Sequence, residues 1–75
     1  MNPAYYEIYR TIGLNIAYYR NLRGMSQGAL GDKLDIDQSH VSKIERAAVG
    51  VSIDLLCDIA AKLRVAPYQL LKPLE

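Results

Sequence analysis

Apolar residues recur at helical spacing along this chain and never alternate as a half-buried strand would. Ile8, Ile12, Ile16 and Tyr19 step by four, four and three residues and predict the inner face of a first helix. Asn2 suits its N-cap and Pro3 its first position, where a missing N–H costs nothing. From Ala4 to Arg23 only Gly13 interrupts the helical reading, and Gly24 fits the residue just beyond the end, behind Arg20 and Arg23 in the last turn. Ser26 then opens a second helix with Leu30 and Leu34 on one face, and Gly31 between them allows another element to come close. A turn at Leu34-Asp35-Ile36 follows, with Asp35 best able to turn left-handed.

Asp37 caps a third helix, which sends Val41 and Ile44 inward. Gln38, Ser39, His40, Ser42, Lys43 and Arg46 are left outside. A loop with Gly50 at its turn runs from Ala47 to Val51. Ser52 caps a fourth helix, and Ile53, Leu56, Ile59, Ala60 and Leu63 are its expected inner stripe, with Leu55 and Cys57 at the flanks. Arg64-Val65-Ala66 connects to a last short helix begun by Pro67. Tyr68, Leu70 and Leu71 form an apolar end, and Pro73 stops it. The expectation is an all-α fold of five helices in one domain, residues 1–75. Residues 1–11 extend the first helix, and 26–46 form a helix-turn-helix from helices two and three.

Size changes the picture little: a chain of 75 residues hides only about 60% of the surface its unfolded form exposes, so self-association would help it. Half of it is hydrophobic, which favours a folded chain over disorder. The net charge of +1 does not demand a nucleic-acid partner, yet a few placed phosphate contacts need little net charge. No signal peptide or membrane-length apolar run is read, so a cytoplasmic protein without membrane contact is expected. Cys57 is the sole cysteine, expected as a small half-buried side chain. His40 has no second ligand near it in sequence and reads as a surface or phosphate-facing residue. No metal, no cofactor and no enzymatic constellation is expected. Gly28 to Gly31 matches a G-x-x-G string used by some RNA-binding folds, but without strands around it the string carries no argument.

The helix-turn-helix itself carries chemistry. A short helix with a narrow apolar stripe and a polar to basic outer face suits a DNA major groove. Ile12-Gly13, Ile16, Arg20, Gly24-Met25-Ser26-Gln27, Leu30, Val41 through Arg46, Ser52, Leu56, Ile59-Ala60 and Leu63, in this order and spacing, resemble the Cro/phage-repressor type (XRE family) of helix-turn-helix domain. The resemblance covers roughly Ile12 to Leu71 and implies a compact lambda-repressor-like domain that regulates transcription. It implies that Gln27 binds a backbone phosphate and braces the third helix, and that Gln38, Ser39, Ser42 and Lys43 face base edges. Arg46 then lies near phosphates, where Ser26 and His40 also contribute to positioning, and Arg20 pairs with Glu45. The chain departs from the family's usual Gly at Asp35 and Ala47, from its Pro at Val51, and from its uncharged cap at Asp37.

The reading is a repressor-like regulator that binds double-stranded DNA as a homodimer on a palindromic operator. The end of helix four with Tyr68, Leu70 and Leu71 is its first candidate dimer surface, and the tyrosine-rich first helix is the second. Tyr5, Tyr6, Tyr9 and Tyr18 either cover the ends of the core with their hydroxyls in water or form a subunit contact. No sensor segment is read in these residues, so regulation is expected through occupied DNA, RNA polymerase or another protein. The rival reading is a protein-binding module such as an antitoxin that neutralises a toxin.

Overall fold

Ser26 and Ser52 each stand in extended backbone and turn a hydroxyl back to accept from a helix N–H, that of Ala29 at 3.0 Å and that of Leu55 at 3.1 Å. These caps start the second and fourth helices of a computed structural model that describes residues 1–74. Its α-helices are α1 (Tyr6–Leu22), α2 (Gln27–Leu34), α3 (Gln38–Glu45) and α4 (Ile53–Leu63). Two 3-10 turns, Pro3–Tyr5 and Pro67–Leu70, stand at the ends.

Four α-helices therefore replace the five expected. The run after Pro67 closes as a 3-10 turn of four residues, with the Gln69 side chain accepting from the Ala66 N–H at 2.8 Å. Helix one also begins later than its sequence signals. Asn2 does cap, accepting from Ala4 N–H at 2.9 Å, but what it caps is the first 3-10 turn.

The core is one cluster drawn from every α-helix: Ile12 and Ile16 of α1, Leu30 of α2, Val41 and Ile44 of α3, Leu56, Ile59, Ala60 and Leu63 of α4. Each fully buried Leu or Ile contributes about 1.5–3 kcal/mol by leaving water. Leu70 joins them with no exposed surface, which removes it from the expected dimer patch. Its carbonyl accepts from the buried Asn15 amide at 2.9 Å, and the Lys72 carbonyl accepts from the same nitrogen at 2.6 Å. The C-terminal turn is thus part of the core and is fastened to the middle of α1.

Two stripe residues lie elsewhere than expected. Ile8 keeps the phase of Ile12 and Ile16 but is exposed, because the buried run of α1 begins only at Ile12. Ile53 is 72% exposed: it shares a row with Cys57, also exposed, rather than with Leu56 and Leu63. Tyr5, Tyr6 and Tyr18 are exposed as well, while Tyr9 and Tyr19 pack on the core edge.

Gly13 permits a close backbone contact between two helices. A β-carbon there would stand 2.7 Å from the Ile44 carbonyl oxygen and closer still to that of Glu45. So α1 rests its backbone directly on the last turn of α3.

Candidate nucleic-acid interface

Between α2 and α3 the chain turns in three residues. Asp35 adopts the left-handed conformation (φ 57°) at the end of α2, and the Ile36 N–H returns to the Gly31 carbonyl at 2.9 Å. A β-carbon on Gly31 would lie 2.7 Å from the Ile36 carbonyl oxygen, so the turn closes over a residue without a side chain. Asp37 follows at the N-cap of α3. Its carboxylate makes no capping bond, contrary to expectation; the backbone alone starts the helix. Asp32, Asp35, Asp37 and His40 line a notch of about 450 Å³ beside Gly31 and Ile36, so the entrance to α3 is acidic.

The other end of α3 is held by one carboxylate. Glu45 accepts from Arg20 through both oxygens, Nε to Oε2 at 2.7 Å and Nη2 to Oε1 at 3.1 Å. The Gln27 side-chain amide donates to the same Oε1 at 3.0 Å, and Arg20 Nη1 also reaches the Met25 carbonyl at 2.9 Å. The two charged side chains keep only 11% and 7% of their surface exposed. Fork geometry and burial make such bonds stronger than surface pairs. Arg20 and Glu45 are joined as the resemblance implied, and Gln27 braces α3 through that pair. One acid therefore ties α1, the start of α2 and the end of α3.

The outer face of α3 is made of Gln38, Ser39, His40 and Lys43, all exposed. Ser42 is half-buried, and its hydroxyl accepts from Arg46 Nε at 3.3 Å, bringing together two residues assigned separately to bases and phosphates. Gln38 lies back over α2, its Oε1 3.6 Å from where a β-carbon of Gly28 would stand. Ser26, exposed at the start of α2, uses its oxygen for the cap. Tyr68 and Leu71 remain exposed at the far end of the molecule's last turn.

Beyond α3, Ala47 takes a left-handed conformation (φ 57°) with its methyl buried. The position at which the chain departs from Gly nevertheless keeps the backbone shape a Gly would give. Sequence reasoning missed Asn15 and the structural need for Gly13. Nothing local marks either, since their partners lie at Leu70, Lys72 and Glu45. Arg23, read as a helix-dipole residue, instead donates to the Leu63 carbonyl at the end of α4, at 2.8 Å. Among the described residues no group of three or more His, Cys, Asp or Glu is placed to hold a metal, and no helix is long and apolar enough to cross a membrane.

A helix-turn-helix family profile matches residues 16–70. A transcription factor of Neisseria meningitidis serogroup B, described as hypothetical, is 31% identical over 71 residues, which is 95% of this chain and 67% of that protein. The crystal structure of the Neisseria hypothetical transcription factor NHTF superposes with a TM-score of 0.84 at 32% identity, over 88% of this chain and 76% of that one. The restriction-modification controller protein C.AhdI of Aeromonas hydrophila gives 0.82 at 27% identity, over 88% and 96%. The clp gene regulator ClgR of Corynebacterium glutamicum, at 20% identity and a TM-score of 0.82 over 85% and 68%, shares the fold. Its sequence, its two-helix unit and these relatives agree: the chain belongs to the XRE-type helix-turn-helix family of DNA-binding transcription regulators.

Proposed function

We propose that this protein is a sequence-specific regulator that binds a near-palindromic operator as a homodimer. The observation that carries this reading is the Glu45 hub. It holds α3 rigidly against α1 and α2, while Gln38, Ser39 and Lys43 stay exposed and unbonded on its outer face. A base-reading surface needs this division, because contacts are made at fixed reach only from a rigid support. Gln38 offers an amide suited to adenine N6 and N7, Lys43 reaches guanine or phosphate, and Ser39 and Ser42 supply shorter contacts. Gln27, Ser26, His40 and Arg46 lie at the helix ends that would meet the sugar–phosphate strands. Two copies would set their third helices about 34–36 Å apart, one turn of the duplex. Tyr68 and Leu71 remain the first candidate surface for pairing, and the restriction-modification controller among the similar structures supports a regulatory role.

The acidic notch of Asp32, Asp35 and Asp37 favours one rival, a module that captures a basic protein surface, as an antitoxin would. Selection from random-sequence duplexes at two salt concentrations separates the two. An enriched palindrome whose binding falls steeply with salt supports the regulator; no enrichment even at low salt rejects it.

A further inference from the structure

Only one side of α1 is used by the fold. Ile12 and Ile16 enter the core, while Gly13 and Arg20 meet α3. Around the other side Tyr6, Arg10, Leu14, Tyr18 and Leu22 follow one another every fourth residue, and all are exposed. Side chains four apart stack along a helix, so these form a single row. Leu14 lies at its middle, turned away from Ile12 and Ile16, with 47% of its surface in water. Tyr18 and Leu22 beyond it are 49% and 58% exposed. Apolar residues scattered singly over a surface call for no explanation, whereas a continuous row of them marks a contact. The Tyr18 ring is already held in place, edge-on to Tyr19 with centroids 5.1 Å apart.

The row is arranged symmetrically about Leu14 and so complements itself. In an antiparallel pair with Leu14 of each copy at the two-fold axis, residues equally far before and after it meet. Arg10 then lies over the Tyr18 ring of the second copy, a cation on an aromatic face. Tyr6 meets Leu22, and Glu7, on the same side of α1, meets Asn21. The Asn21 side-chain oxygen accepts from Arg20 Nη1 at 3.3 Å, which leaves its amide hydrogens to donate to that carboxylate. Among the described residues Glu7 and Arg10 take part in no ion pair within the chain.

We propose that this face of α1 is a contact between two copies of the chain, antiparallel about Leu14. The apolar row exposes roughly 400 Å² per copy, half of the ~800 Å² that each partner in a stable complex buries. The contact is therefore weak by itself and counts most where copies are already held side by side, as neighbours on one duplex would be. It adds to the pairing through Tyr68 and Leu71 proposed above and does not depend on DNA binding.

Because Leu14 meets its own counterpart, opposite charges placed there test the geometry. Sedimentation equilibrium without DNA, over about 10 μM to 1 mM, compares the unaltered protein with Leu14→Glu, Leu14→Lys and their equimolar mixture. The unaltered protein is expected to gain mass across this range. Each variant alone sets like charges at the axis and should associate about tenfold more weakly or worse. The mixture sets opposite charges there and should recover most of the loss, less of it at high salt. Leu14 is exposed, and Glu and Lys are good helix formers, so both variants should melt as the unaltered protein does. Arg10→Ala brings in no new charge and should weaken association about fivefold, through loss of the contact with the Tyr18 ring. The inference is overturned if the unaltered protein keeps one mass at all concentrations, if the Leu14 variants associate as well as it does, or if their mixture does no better than either alone. With no DNA present, each of these outcomes leaves the DNA-binding reading standing.

Discussion

Arg20 and Glu45, 25 residues apart, meet in a two-bond fork that is nine-tenths shielded from water. The pair spans the helix-turn-helix from outside it, fixing α3 to a helix that carries none of the proposed reading residues. Removing one partner leaves the other charge buried alone, which costs more than the pair itself contributes. Arg20→Ala and Glu45→Ala should each lower unfolding free energy by about 2–4 kcal/mol. The double variant should lose clearly less than the sum. Urea denaturation of all four proteins measures the coupling, and strictly additive losses would deny it.

Asn15 carries a comparable load without charge. Its amide nitrogen holds two carbonyls of the C-terminal turn, while its own Oδ1 is buried with no partner. Asn15→Ala should cost about 1–3 kcal/mol. Asn15→Asp should cost more, since a carboxylate would confront two carbonyl oxygens with no donor to offer. Thermal melting checks both, and the expected order is wild type, then Ala, then Asp.

At Gly13 the prediction is steric. Gly13→Ala brings a methyl against the Ile44 carbonyl, and the carbonyl is helix backbone with no room to give. A loss of about 1–3 kcal/mol is expected even though Ala is the better helix former, and a stability gain would contradict the contact.

Asp35 offers the opposite sign. Its left-handed conformation strains any residue with a β-carbon, and its side chain is exposed. Asp35→Gly should raise stability by about 0.5–1 kcal/mol. It also removes one acid from the notch beside α3, so binding to any duplex should tighten at low salt and converge with wild type at high salt.

The outer face of α3 is tested by how binding losses are distributed. Gln38→Ala should forfeit about 1–3 kcal/mol of discrimination at one base pair of each half-site. Lys43→Ala should weaken binding on all sequences and shallow the salt slope by about 0.9 if the contact is to phosphate. Equal losses for Gln38→Ala on every variant of that base pair would remove it from the reading set.

Much of this was legible from residue order alone. Ser26 and Ser52 cap where they should, Asp35 turns left-handed as its position demands, and Leu30, Val41, Ile44, Leu56 and Leu63 are buried. Periodicity gives the phase of a helix but not which turns another element will cover. Ile8 and Ile53 show this, each apolar and correctly helical yet left outside. The last turn was misjudged for a related reason. Tyr68, Leu70 and Leu71 look alike as an apolar end, and only the docking of the turn onto α1 decides that Leu70 faces in. Asn15 is silent in the sequence, and Gly13, though among the carriers of the resemblance, does not show what it makes room for, because a polar residue and a missing side chain acquire meaning only from partners tens of positions away. Within the candidate interface, the resemblance led to the Arg20–Glu45 pair and to Gln27 as a brace. Neither it nor the spacing indicated that Arg46 would lean on Ser42, or that Tyr9 would lie over Gly50.

The Glu45 hub has a consequence for how such a protein can change over generations. The side-chain bonds that fasten α3 converge on its inner side and its last turn, and the side chains of Gln38, Ser39 and Lys43 contribute none of them. Substitutions at these three positions should therefore alter what the helix recognises while leaving the folding equilibrium nearly untouched. New target preferences then become reachable one residue at a time, with each intermediate still a folded protein.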